Sequence, residues 1–69
     1  MDIKKATHYR RKNINILMKD GKEYTGFFED YADSEDVEVD TIQLENQELW
    51  GDWLKEIPVP EIQSIEEIK

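Results

Sequence analysis

Among the residues that could do chemistry, His8 comes first, because imidazole is the ordinary side chain that changes charge near neutral pH. It is the chain's single histidine, and there is no cysteine. Ser34 and Ser64 lack an evident partner, and with no cysteine and no second histidine neither a zinc site nor an obvious nucleophile–base pair is expected. The acids Asp30, Asp33, Glu35, Asp36, Glu38 and Asp40 crowd one stretch and could gather Ca²⁺ or Mg²⁺. They lack the sixth-position glycine and the alternating oxygen ligands of an EF-hand loop, which favours a solvated acidic turn. With three glycines in all, no glycine-rich phosphate loop can form. A chain this short rarely encloses the several hundred Å³ a substrate needs. The expectation is a protein that is not an enzyme, with no catalytic residue, no metal and no cofactor.

Binding chemistry is better represented. Trp50 and Trp53 lie beside Glu48, Asp52 and Glu56, and tryptophan is prominent among interface hot spots. Such a pair can equally cap the end of a small core, and both readings stand at this point. Phe27 and Tyr31 are expected on the face of a strand turned away from Tyr24 and Phe28. Trp50, Trp53, Phe27, Tyr31, Glu48 and Asp52 are thus the candidate partner-binding residues. A second set, Lys4, Lys5, Arg10, Arg11 and Lys12 with Tyr9 available to stack, could contact nucleic acid.

Charge separates these two sets. Seventeen acids against nine bases leave a net charge of -8 over 69 residues. Residues 1–22 hold seven of the bases (Lys4, Lys5, Arg10, Arg11, Lys12, Lys19 and Lys22) and two acids, about +5. Residues 23–69 hold fifteen acids and two bases, Lys55 and Lys69, about -13. An acidic body repels nucleic acid and anionic membrane, while a basic head could touch phosphate or fold back on the body. No run of 18 apolar residues occurs and the start lacks a signal peptide's apolar segment, so a soluble cytoplasmic protein is expected.

The elements that must position these residues follow from periodicity. Ile3, Ala6 and Tyr9 recur every third residue, compatible with a short helix or a loose arm over 1–11. Ile14, Ile16 and Met18 alternate with Asn13, Asn15 and Leu17, and Asp20-Gly21 suits a tight turn with positive φ. Residues 12–31 are therefore expected to form a β-hairpin. After an acidic turn at 32–36, Val37 to Leu44 has strand composition, but its apolar phase slips, which a bulge near Asp40-Thr41 would absorb. Over 45–56, Leu49, Trp50, Trp53, Leu54 and Ile57 fit a helical stripe, with Gly51 in its middle at a cost of about 1 kcal/mol. Alternatively Gly51-Asp52 is a two-residue turn that sets Trp50 opposite Trp53 and Glu48 opposite Lys55. The hairpin is the preferred of the two. Pro58 and Pro60 keep 57–60 extended and at an edge, Pro60 to Ile62 suits one helical turn, and 63–68 closes as a strand. Five short strands joined by tight turns suggest a mainly β fold, a small, strongly bent five-stranded barrel.

The run from Asp20 to Tyr31, Asp-Gly-Lys-Glu-Tyr-Thr-Gly-Phe-Phe-Glu-Asp-Tyr, resembles the first signature of Sm-like proteins. There an Asp-Gly-basic turn precedes an apolar residue, then glycine, an apolar residue and an aromatic. The segment from Ile57 to Glu66 resembles the way Sm-like and SH3-like small barrels join their last two strands. The likeness spans roughly residues 12–68 and implies a strongly bent five-stranded barrel, with rings as a common assembly. It does not carry RNA binding with it. Where Sm-like RNA binders resemble one another in an Asp after the aromatic and an Asn four residues on, this chain has Ala32 and Asp36, unless Asp33 shifts into the first position. The Arg- or Lys-Gly pair of their second signature has no counterpart, since Gly51 stands between Trp50 and Asp52.

Together these readings give a basic arm or short helix over 1–11 and one small barrel over 12–69. The expected activity is that of a non-enzymatic acidic interaction module, binding a basic protein partner or a second copy of itself. The alternative is a nucleic-acid binder that uses the basic arm.

Overall fold

The computed structural model describes residues 3–32 and 39–68. The chain opens with helix α1 (Ile3–Ala6) and a 3₁₀ turn (Thr7–Tyr9). Five strands follow: β1 (Asn13–Met18), β2 (Glu23–Ala32), β3 (Thr41–Glu45), β4 (Leu54–Pro58) and β5 (Ile62–Glu67). A second helical turn, α2 (Gln47–Trp50), lies between β3 and β4, and a 3₁₀ turn (Val59–Glu61) joins β4 to β5.

The expected hairpin is β1–β2. Ile14, Ile16 and Met18 face inward, and Gly21 at φ 93° makes the turn. The Met18 amide donates to the Lys22 carbonyl at 2.8 Å, and the Asp20 carboxylate accepts from the Lys22 amide at 3.0 Å. Each residue of the expected period-three stripe in 1–11 packs inward: Ala6 is fully buried, and Ile3 and Tyr9 lie against the core.

All strands belong to one antiparallel sheet of order β4-β3-β2-β1-β5. The two outer strands are consecutive in sequence. Four strand spacings would separate them by roughly 19 Å in a flat sheet. Only Val59–Glu61 links Pro58 to Ile62, a span of at most about 14 Å. The sheet must therefore curl. Hydrogen bonds hold the link from both sides, the Lys19 amide donating to the Glu61 carbonyl and the Val59 amide to the Asp40 carbonyl, each at 2.8 Å. No ladder joins β4 to β5 among the described residues, so the sheet is bent but open, and the expected closed barrel is not reached by strand pairing. Eleven apolar side chains from α1, all five strands and the last turn fill the curl, led by Phe28, Ile14, Ile16, Ile42 and Leu44.

Three local expectations are corrected. Ala32 ends β2 and so does not begin the expected 32–36 turn; the rest of that turn and most of the acidic run fall at 33–38, outside the described residues. Val39 and Asp40 precede β3 instead of belonging to it, so Ile42 and Leu44 alone set that strand's inward phase. The bulge sits on β2, where the register shifts between Phe28 and Asp30. Phe28 pairs with Leu44 and Tyr31 with Ile42. The extra residue, Glu29, thus turns Tyr31 onto the core side, contrary to its expected outward position. Finally, β3 and β4 do form a hairpin, but its connection is the eight residues 46–53: the expected Gly51-Asp52 turn is present, with Gly51 at φ 62° and ψ -132° and the Trp53 amide donating to the Trp50 carbonyl at 3.2 Å, yet it follows α2 instead of joining the strands directly. Lys55 stands opposite Leu44, not Glu48, and Trp50 and Trp53 are not a cross-strand pair.

Candidate functional site

The connection 46–53 is built as a capped helical turn. Asn46 is the N-cap, its Oδ1 accepting from the Leu49 amide at 3.2 Å, and Glu48 lies in the first turn where the helix dipole favours an acid. Gly51 at φ 62° terminates the helix, so it is the helix's end and not a defect inside it. Asn46 also ties the turn to the sheet, its Nδ2 donating to the Thr25 carbonyl at 2.7 Å.

This turn divides its apolar residues. Trp50 leans inward against the core, its ring 6.4 Å from that of Tyr24 and inclined by 49°. The Lys55 ammonium lies over the Tyr24 ring, 5.7 Å from its centroid. Leu49 and Trp53 point outward, 63% and 71% exposed, with exposed Glu48 and Asp52 between and beside them. Of the two readings of the tryptophan pair, Trp50 takes the core role and Trp53 the exposed one. Leu49 was not among the residues singled out, although its place three positions after an Asn cap could have marked it as the outward face of a short helix.

Phe27 and Tyr31 do not join this knob. Each carries an arginine of the head: Arg10 lies 5.4 Å over the Tyr31 ring and Arg11 5.3 Å over the Phe27 ring. Arg10 also reaches Asp30 (3.5 Å), Arg11 reaches Glu29 (3.1 Å) and Lys12 reaches Glu67 (3.4 Å). Arg11 adopts φ 65°, a left-handed backbone, where the head bends into β1. Its amide donates to the Phe28 carbonyl, and the Phe28 amide to the Lys12 carbonyl, both at 2.9 Å. Of the nucleic-acid set, Tyr9 is half-buried and Arg10, Arg11 and Lys12 face acids of the same chain, while Lys4 and Lys5 are exposed on α1. The head folds back on the acidic body.

Residues proposed for chemistry stay apart. His8 is exposed in the first 3₁₀ turn and Ser64 is exposed on β5 opposite Leu17. Among the described residues no three His, Asp or Glu converge as a metal site, and no helix is long and apolar enough to cross a membrane. Depressions among the described residues include the following three. A cleft of about 230 Å³ lies between β4 and the β1–β2 turn, a recess of about 460 Å³ beside α2, and a hollow of about 170 Å³ against α1. No protein-family model, curated protein or solved structure matches this chain.

Proposed function

We propose that this chain is a non-enzymatic interaction module whose acidic, aromatic knob engages a basic protein or a second copy of the chain. The observation that carries the reading is that Leu49 and Trp53 are 63% and 71% exposed on one eight-residue connection that also carries exposed Glu48 and Asp52 and is tied to the sheet by Asn46. Carried on a turn whose backbone Asn46 ties to the sheet, an exposed aromatic offers a partner apolar area with less loop ordering left to be lost on binding. Flanking acids would steer a cationic partner and make association salt-sensitive.

The reading also takes the curled sheet to be a small barrel resembling the Sm-like and SH3-like kinds. Its support is the three-residue link between the two outer strands and the Asp20–Tyr31 run. The proposed setting is the cytoplasm.

The test is affinity purification from the protein's own cells, with nuclease, of the native chain and a Leu49→Ala, Trp53→Ala double variant. A protein retained by the native chain and lost by the variant supports the module. Sedimentation of the two proteins covers self-association. Equal retention and equal sedimentation for both would overturn it, as would recovery of nucleic acid alone.

A further inference from the structure

Strand β4 pairs with β3, and among the described residues no strand lies along its other side. Backbone bonds fix which of its groups are left over. Phe28 bonds through its main chain to Arg11 and Lys12, so Leu44, its partner on β3, turns its own groups the other way, to β4. The Val59 amide, donating to the Asp40 carbonyl at 2.8 Å, continues the same phase. Hydrogen-bonded pairs alternate along an antiparallel ladder, so Lys55 and Ile57 are the β4 residues bonded to β3. Leu54 and Glu56 therefore aim their N–H and C=O groups at the open side. Pro58, next in that phase, has no N–H and ends the open stretch.

This short edge lies between two other surfaces. Trp53, 71% exposed, immediately precedes Leu54. The cleft of about 230 Å³ between β4 and the β1–β2 turn includes Glu56, Ile57 and Pro58, and it carries Asp20, Glu56 and Glu61 against one base, Lys55. An extended chain laid along an open edge gains affinity from main-chain bonds and specificity from alternate side chains placed in flanking pockets. Two residues of ladder are weak alone, so the cleft and Trp53 have to extend the contact. The charge around the cleft selects a cationic side chain. A second copy of the chain fits less well, because both molecules would carry a net charge of -8.

We propose that β4 is a docking edge for an extended, basic segment of a protein partner, which adds a strand to the sheet and places a lysine or arginine in the cleft. The proposal rests on the interaction-module reading and names the shape of the partner that reading leaves open.

The test is an amide-resolved NMR titration of the isotope-labelled full chain with the blocked peptide Lys-Val-Lys-Val-Lys-Thr at low salt. Two further versions, N-methylated at the lysines or at the valines, each lack the donors of one side of the strand. Saturable shifts and slowed hydrogen exchange are expected at Leu54 and Glu56. One methylated version should bind at least about tenfold more weakly and the other close to the parent. Glu56→Pro removes an outward N–H while leaving the β3–β4 ladder its bonds, and should weaken the parent peptide by at least about tenfold. Glu56→Gln keeps that N–H and should weaken it by no more than about threefold. The methylated pair decides on the native chain even where Glu56→Pro does not fold.

Equal behaviour of the two methylated versions, or shifts spread over the acidic surface without a centre on β4, would overturn the edge. Self-association of the native chain that Glu56→Pro abolishes would assign the edge to a second copy and overturn the proposed partner. A silent β4 beside a Leu49→Ala, Trp53→Ala variant that loses its partner would overturn the edge and leave the module intact. Pairing at β4 beside a variant that keeps every partner would support the edge and overturn the knob alone.

Discussion

The Trp53 amide donates to the Trp50 carbonyl at 3.2 Å, so the two tryptophans share one turn of backbone, yet their rings part ways. Trp50 folds under the turn onto Tyr24, and Trp53 projects from it. What separates them is the end of α2: Gly51, at φ 62° and ψ -132°, opens a tight turn closed by that Trp53–Trp50 bond, which reverses the chain between the two and leaves the second ring exposed. A knob built this way has its anchor outside and its buttress inside.

The two substitutions should therefore dissociate stability from binding. Trp50→Ala removes contacts with the core and with Tyr24 and should cost about 2 kcal/mol, the half-buried share of a full aromatic deletion. Trp53→Ala should change stability by no more than about 0.5 kcal/mol. Urea denaturation of both variants checks this. Equal losses would mean that Trp53 also packs in solution.

Asn46 performs two tasks that two substitutions can separate. Asn46→Ala loses the cap to Leu49 and the donation to Thr25, a cost of about 2 kcal/mol. Asn46→Asp keeps the cap and loses the donation, so about half that cost is expected. Denaturation midpoints of the two variants give the comparison, and identical midpoints would remove the link to β2 from the account.

The pairing of Arg10 and Arg11 with Asp30 and Glu29 is exposed and so individually weak. Replacing both arginines by Gln should cost about 1 to 2 kcal/mol with the ring contacts included. That cost should shrink in high salt, which screens the ion pairs. Measuring the native and double-variant midpoints at low and high salt tests it. A salt-independent difference would assign the effect to packing.

Because Arg10, Arg11 and Lys12 face acids of the body, the nucleic-acid alternative predicts retention that the pairing opposes. A gel shift with single-stranded RNA and DNA at low salt is expected to show no complex. A complex abolished by Lys4→Gln, Lys5→Gln would reverse the assignment of the head.

Much of this architecture is legible in the residues. The alternation of Ile14, Ile16 and Met18 and the Asp20-Gly21 turn lead directly to β1–β2, because a strand with one buried face writes its register in polarity. The stripe Ile3, Ala6, Tyr9 likewise marks an inward helical face. The bulge at Glu29 leaves no such mark, since an extra residue in β2 shows only against its partner β3, and Tyr31 was assigned to the wrong side for that reason. The loop 46–53 was hidden by its tryptophans. Their apolar spacing suits either a helix or a hairpin, and the deciding signals were polar: Asn46 as cap, Glu48 in the first turn and Gly51 as terminator. Exposure of Trp53 depends on that reversal at Gly51 and could not be read from spacing.

The central claim is that Leu49 and Trp53 form a surface for a partner and are not an incidental outer layer of the fold. The most direct measurement is the affinity of the partner protein recovered with the native chain, titrated against that chain and against the Leu49→Ala, Trp53→Ala variant, with both shown to be equally folded. The account predicts a loss of at least about tenfold in the variant, as expected for removal of a hot-spot aromatic, and weaker binding of the native chain as salt rises. Equal affinity for the two folded proteins would contradict it.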